Sequence, residues 1–225
     1  MPERPDGDEA GATDGSTDDL TVRPDAATID PVSNPETGVS LRVLATGADT
    51  DGRLARYEVR LAPPSESHGP HLHVHPAQRE TFEVVSGRLG VQVGDETCLL
   101  DAGDAVDIDA GVPHRFWNAG GGATRFVGEV SPPLRTVTLM STIFRLAADG
   151  WSTEEGLPIN PFALAVVVDA FPDHIYLGRL PVPLQKLALW PLARVGRRLG
   201  YEPAFPAYVP DSEAHAGPTP GDPES

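Results

Sequence analysis

The chain has 225 residues, enough for one packed domain with an appendage. It carries 33 acidic against 17 basic side chains, for a formal net charge of -16. Such a surface repels phosphate, so nucleic acid is excluded as an expected partner.

Lys186 is the only lysine. Acid richness with so little lysine is the composition of a salt-adapted, halophile-like surface, although a high-GC genome also favours arginine. Cys98 stands alone, which rules out an internal disulfide and any cysteine cluster for metal. The N-terminal stretch has no apolar run that reads as a signal peptide, and no segment reaches the roughly twenty apolar residues of a membrane span. A cytoplasmic protein is expected.

In chain order, residues 1–30 are rich in Asp, Gly, Thr and Pro and are expected to form a disordered acidic arm. Residues 31–139 then alternate short β-type runs with turn signals. The runs are Val39 to Leu44, Arg53 to Leu61, His71 to His75, Glu80 to Val85, Arg88 to Val93 and Thr97 to Leu100. Ala105 to Ile108, His114 to Asn118, Thr124 to Val130 and Arg135 to Leu139 follow. In Arg53 to Leu61, Ala55, Tyr57, Val59 and Leu61 share a dry face opposite Arg56, Glu58 and Arg60. Many short strands separated by turns such as Ser86-Gly87 and Gly120-Gly121-Gly122 indicate a sandwich or closed barrel.

Residues 140–210 change pattern and predict a helical extension packed on the barrel's outer face or over its mouth. Ser141 to Ala148 reads as a helix with Ser141 as N-cap. Pro161 to Phe171 reads as a second, with Pro161 in the first turn. Leu184 to Gly200 reads as a third, kinked at Pro191. The tail 211–225 is again expected to be disordered. From Ile175 to Tyr201 the cations Arg179, Lys186, Arg194, Arg197 and Arg198 occur without an acid. Docking of this strip on the acidic barrel or on a second subunit is preferred over lipid-surface association through 183–200.

The chemistry concentrates between Gly69 and Asn118. Alternation along a strand puts His73 and His75 on one side, about 7 Å apart, so both imidazoles can reach one ion. Glu80 and His114 begin two later runs, and four good ligand types can converge from three strands. His71 shares the His73 face as a spare ligand, a pocket-mouth acid–base group or a structural histidine. Glu83 falls on the face opposite Glu80. Phe82 and Phe116 would line an apolar cavity or fill the core. Asn118 would orient a ligand or close a turn, and Trp117 points outward.

The run His73-X-His75, Glu80 and Gly87 resembles the first signature motif of the cupin superfamily. Gly103, Gly111, His114 and Asn118 are similar to the second, with Asp109 where proline is usual. No glycine stands at the usual distance before His73. The resemblance implies a mainly β protein whose barrel is a double-stranded β-helix, or jelly roll, carrying the C-terminal helical extension. It also implies that His73, His75, Glu80 and His114 are the ligands of a divalent ion (Fe, Mn, Ni, Cu or Zn), with Gly87, Gly103 and Gly111 as turn glycines. The expected activity is small-molecule work at a 3-His/1-Glu centre, dioxygenase-like in the leading reading, with Glu80 as candidate proton shuttle. Alternatives are a non-catalytic small-ligand binding or sensing module and, more weakly, a sugar isomerase or epimerase. A homodimer is expected from barrel-edge pairing.

Overall fold

The computed structural model describes residues 31–35, 37–64, 69–153 and 158–203. The two arms expected at 1–30 and 211–225, and residues 204–210 of the extension, lie outside the described residues.

Eleven described strands occur in chain order: β1 Val32–Asn34, β2 Val39–Ala45, β3 Ala55–Leu61, β4 His73–Val74, β5 Arg79–Ser86, β6 Arg88–Val93, β7 Glu96–Asp101, β8 Ala105–Ile108, β9 His114–Asn118, β10 Thr124–Ser131 and β11 Tyr176–Leu177. Three helices, α1 Thr136–Ala148, α2 Pro161–Ala170 and α3 Val182–Arg198, follow or flank the last strand. The strands form two antiparallel sheets, ordered β1-β2-β3-β10-β5-β8 and β11-β4-β9-β6-β7. This is the mainly β jelly roll with a helical C-terminal part.

Alternation decides which residues meet between the sheets. Ala55, Tyr57, Val59 and Leu61 of β3 are buried, as are Glu80, Phe82 and Val84 of β5, while Glu83 is exposed. Three rings close the middle of the barrel edge to face: Phe82, Phe116 and Phe126 have centroids 5.0 to 5.4 Å apart. Two aromatic side chains lie across a glycine on the neighbouring strand. The Trp117 ring covers its cross-strand partner Gly90, and the Tyr57 ring covers Gly128. A side chain at either glycine would collide with the ring. The turn residues Gly87, Gly103 and Gly111 all take left-handed φ values of 84°, 94° and 80°, which a β-carbon disfavours.

Three sequence expectations are corrected. His71 to His75 is not a full strand: only His73 and Val74 join a ladder, with Pro70 and Pro76 flanking it. Arg135 to Leu139 is not a strand, and Ser141 is not an N-cap. The helix α1 starts at Thr136, and Ser141 is buried within it. The β-branched run Thr136, Val137 and Thr138 favours a strand locally. Burial of Val137, Ser141, Phe144 and Ala147 follows a helical period instead, and Val137 and Phe144 join the barrel core. Thr142 accommodates the helix by donating to the Thr138 carbonyl at 2.8 Å.

The second helix begins as expected at Pro161. The Asn160 side chain caps it by accepting from the amides of Phe162 and Ala163 at 2.9 and 3.2 Å. The third packs mainly on α2, and its Gln185 bonds to Leu177 of β11 at the sheet edge. Ala165, Val166 and Ala193 form a small core, and Gly196 lies against Phe162 and Val166. Arg197 pairs with Asp169 at 2.6 Å and Lys186 with Asp173 at 3.4 Å, both acids of the α2 region. Leu187, Trp190 and Leu199 remain exposed. No helix among the described residues is long and apolar enough to cross a membrane.

Phe126 touches the aromatic core but no candidate ligand. Phe126→Ala should destabilise the protein by about 3–5 kcal/mol in urea unfolding; a loss under about 1 kcal/mol would mean that the three-ring cluster does not carry the barrel core.

Candidate metal centre

Both sheets contribute to one buried cluster. Glu80 comes from β5 of the six-stranded sheet. His73 of β4, His75 just beyond it and His114 of β9 come from the other, where His73 and His114 are direct cross-strand partners. One nitrogen from each ring and one Glu80 oxygen all lie within 4.8 Å of one another, and all four residues are buried. Bonds of about 2.0–2.2 Å to a common ion require a spread of this order, about 4 Å.

Backbone carbonyls orient the rings. His73 Nδ1 sits 2.7 Å from the His71 carbonyl, and His114 Nδ1 sits 2.9 Å from the Val112 carbonyl. His75 Nδ1 meets the carbonyl of His174. A carbonyl can only accept, so each Nδ1 carries a hydrogen. His114 Nε2, 2.9 Å from Glu80 Oε2, also donates, and it gives up that hydrogen when an ion binds. Three imidazoles so turned, plus a carboxylate, are a donor set that fits a divalent transition metal.

Glu80 is held from both sides. Its Oε1 accepts from the Tyr57 hydroxyl, and its Oε2 lies 2.9 Å from His114 Nε2 and 3.5 Å from His75 Nε2. Burial alone would raise its carboxyl. The charge of His75, the hydrogen bond and charge of His114 and the charge of His73 outweigh burial and bring it down to about 2. A carboxylate so engaged stays ionised, as a metal ligand must. Burial, followed by the neighbouring Glu80, raises the Tyr57 hydroxyl well above its ordinary value, so it stays a donor. Burial, then the charges of His114 and His75, lower His73 to about 3. His114 goes the other way: burial would lower it, but the hydrogen bond and charge of Glu80 raise it.

The other candidates separate. His71 and Phe116 line a cavity of 510 Å³ that begins at His73, His75 and Glu80. Phe82 is fully buried in the aromatic core. Asn118 does not line this cavity. It donates to the Ala62 and Gly122 carbonyls at 2.7 Å and accepts from Gly120 N and the Thr124 hydroxyl, closing the turn after β9. Trp117 lies over Gly90 with the Arg115 guanidinium 5.4 Å from its ring.

Sequence reasoning missed three contributors. Tyr57 was legible only as a dry-face residue. The His174 carbonyl has no side-chain signature at all. β11 pairs Leu177 with His73 and Tyr176 with Val74, so the extension adds an edge strand beside a candidate ligand. The imidazole of His174 also accepts from the Arg135 amide at 2.9 Å, at the start of α1. Gln78, between His75 and Glu80, donates to the Pro132 carbonyl and the Thr136 hydroxyl, each at 2.8 Å. The stretch between His75 and Glu80 is thereby tied to that same helix start.

Two outcomes are expected. Tyr57→Phe leaves one buried Glu80 oxygen without its donor and should weaken divalent-metal affinity about 10–100-fold in chelator competition, with little change in fold. An unchanged affinity would remove Tyr57 from the site. The second concerns acid. Burial, then the charges of His75 and Arg135, lower His174 to about 4 from its ordinary 6.5. The unfolded chain takes up this proton near 6.5 while the folded chain refuses it until about 4. Its stabilising effect is therefore full above 6.5 and is lost as pH falls through that window. In the metal-free protein the urea midpoint should drop over this range, by about 3 kcal/mol for this group, and His174→Gln should flatten the slope.

Comparison with known proteins agrees with this geometry. Residues 58–128, which hold all four cluster residues, match the family described as Cupin domain. Polyketide synthase CurC of Streptomyces cyaneus is 32% identical over 99 residues, 44% of this chain and 63% of the relative. Oxidoreductase OpS7 of Beauveria bassiana is 46% identical over 48 residues, 21% of this chain and 15% of the relative. This chain thus spans less than two thirds of the length of either relative. A Thermotoga maritima structure described as a predicted oxalate decarboxylase is 21% identical with a TM-score of 0.42, over 50% of this chain and 98% of that one. With the family's match lying on a two-sheet jelly roll that buries three histidines and a glutamate, the barrel of this chain belongs to the cupin superfamily.

Proposed function

We propose that His73, His75, Glu80 and His114 hold one divalent transition ion, and that the protein binds a small organic molecule at its open positions and oxidises it in a dioxygenase-like reaction. The observation that carries this reading is the orientation of the three rings. Each spends its Nδ1 hydrogen on a backbone carbonyl, which turns three Nε2 atoms and a carboxylate toward one point. A bound ion would supply Lewis acidity and, for a redox metal, electron transfer.

The chain's own residues would do the rest. Tyr57 fixes the carboxylate, the carbonyls of His71, Val112 and His174 fix the rings, and Phe116 with the surrounding apolar wall keeps water from the organic ligand. The printed name of the fungal relative, oxidoreductase, is in keeping with redox work, and that of the Streptomyces relative with a carbon-rich ligand. A sugar is less well served, because its hydroxyls would meet a wall with few partners.

Elemental analysis of protein purified without chelator or histidine tag should find about one transition ion per chain, with His75→Ala and His114→Ala both losing it. The iron-loaded protein should then consume oxygen with some member of a panel of phenols and diketones. Stoichiometric ligand uptake without oxygen consumption would replace the catalytic reading with a binding or sensing module. Absence of any ion uptake would remove both.

A further inference from the structure

The cavity at the cluster extends well beyond what a small polar substrate needs. Its 510 Å³ lies within the range of about 300–1,000 Å³ that encloses drug-sized ligands. His73, His75 and Glu80 line it together, with the Tyr57 hydroxyl spent on Glu80. Two further polar lining residues are engaged locally: Asn34 accepts from the Thr37 amide at 3.2 Å, and Gln185 donates to the Leu177 and Leu180 carbonyls and accepts from the Leu177 amide. The greater part of the wall is aliphatic and aromatic, and most of it comes from the extension: Ile143 and Phe144 of α1 and Leu164 and Val168 of α2. The outer end lies at Leu180 and Leu184, which line the cavity and are still 50% and 55% exposed.

We infer that the ligand is an elongated amphiphile. One oxygen-bearing head faces the histidine–glutamate cluster, and an apolar body lies between the barrel and the three helices, which therefore set specificity. The inference rests on the metal reading above for its head but not for its body. A polyhydroxylated molecule would leave hydroxyls unpaired along the wall, and a plain hydrocarbon would leave the polar end unused. The helices are then a measuring device for ligand length, and the half-exposed leucines at their rim are the point of entry.

The test is calorimetric titration of the full, metal-loaded chain with straight-chain carboxylates from butanoate to tetradecanoate, each below its micellar concentration. Affinity should rise about fourfold per added methylene, equivalent to about 0.8 kcal/mol, and level off once the cavity is full. Val168→Trp should bring the plateau to shorter chains and weaken the longest about tenfold or more. Metal content should stay unchanged, and the longest chains should lose more affinity than butanoate. Ala188→Trp, on the exposed side of α3, makes the same block should the first variant fail to fold. A flat series in protein that has taken up its ion would overturn the inference, as would plugged variants that bind the longest chain normally. A rising series in protein that takes up no ion would uphold the apolar cavity and overturn the metal reading instead.

Discussion

Three hydrogen bonds from imidazole Nδ1 to backbone carbonyl govern this molecule. A histidine ring on a strand can turn either nitrogen inward, and a free ring exchanges its hydrogen between them. Here His71, Val112 and His174 each present a carbonyl oxygen that must be met by a donor, and that choice aims every Nε2 at the same point. Burial then keeps His73 and His75 neutral, since a charged ring there would be desolvated beside its neighbours. The carboxylate is treated in the opposite way. Glu80 stays ionised despite burial because Tyr57 donates to one oxygen and histidines face the other.

The two-sheet architecture is what allows these requirements to coexist. The acid arrives from one sheet and the imidazoles from the other, so no strand must carry all the ligands. The aromatic core of Phe82, Phe116 and Phe126 holds the sheets apart just behind them. Within the six-stranded sheet, the Tyr57 ring lies over Gly128 of the next strand, a position that lets its hydroxyl reach Glu80 one strand further on. A bulkier residue at 128 would push the ring away, so a glycine with no polar group serves the site by leaving room.

Much of the barrel was legible because its signals are local. Arg88–Val93, Ala105–Ile108 and His114–Asn118 are bounded by turn glycines, and their limits in sequence and structure coincide. The ligand quartet was legible because its spacing matches a known motif. Arg135 to Leu139 misled because three β-branched residues favour a strand locally, whereas burial along one face of α1 decides the helix. Tyr57 showed its apolar body but not the partner of its hydroxyl, which lies 23 residues away. Asn118 left two readings open, and only its four partners select the turn. The His174 carbonyl was invisible in principle, since every residue has one and only tertiary position singles it out.

That carbonyl also gives the C-terminal segment a part in orienting the histidine cluster. It belongs to the segment between α2 and β11, and β11 is itself paired alongside His73. Because His75 depends on it, seating of the segment and uptake of an ion by the quartet are reciprocal: each strengthens the other by the same factor. A chain shortened before His174 would keep His73, His75 and His114 but lose the carbonyl that orients His75, so on the metal reading proposed above avidity for a cation would gauge how firmly the distal third is docked.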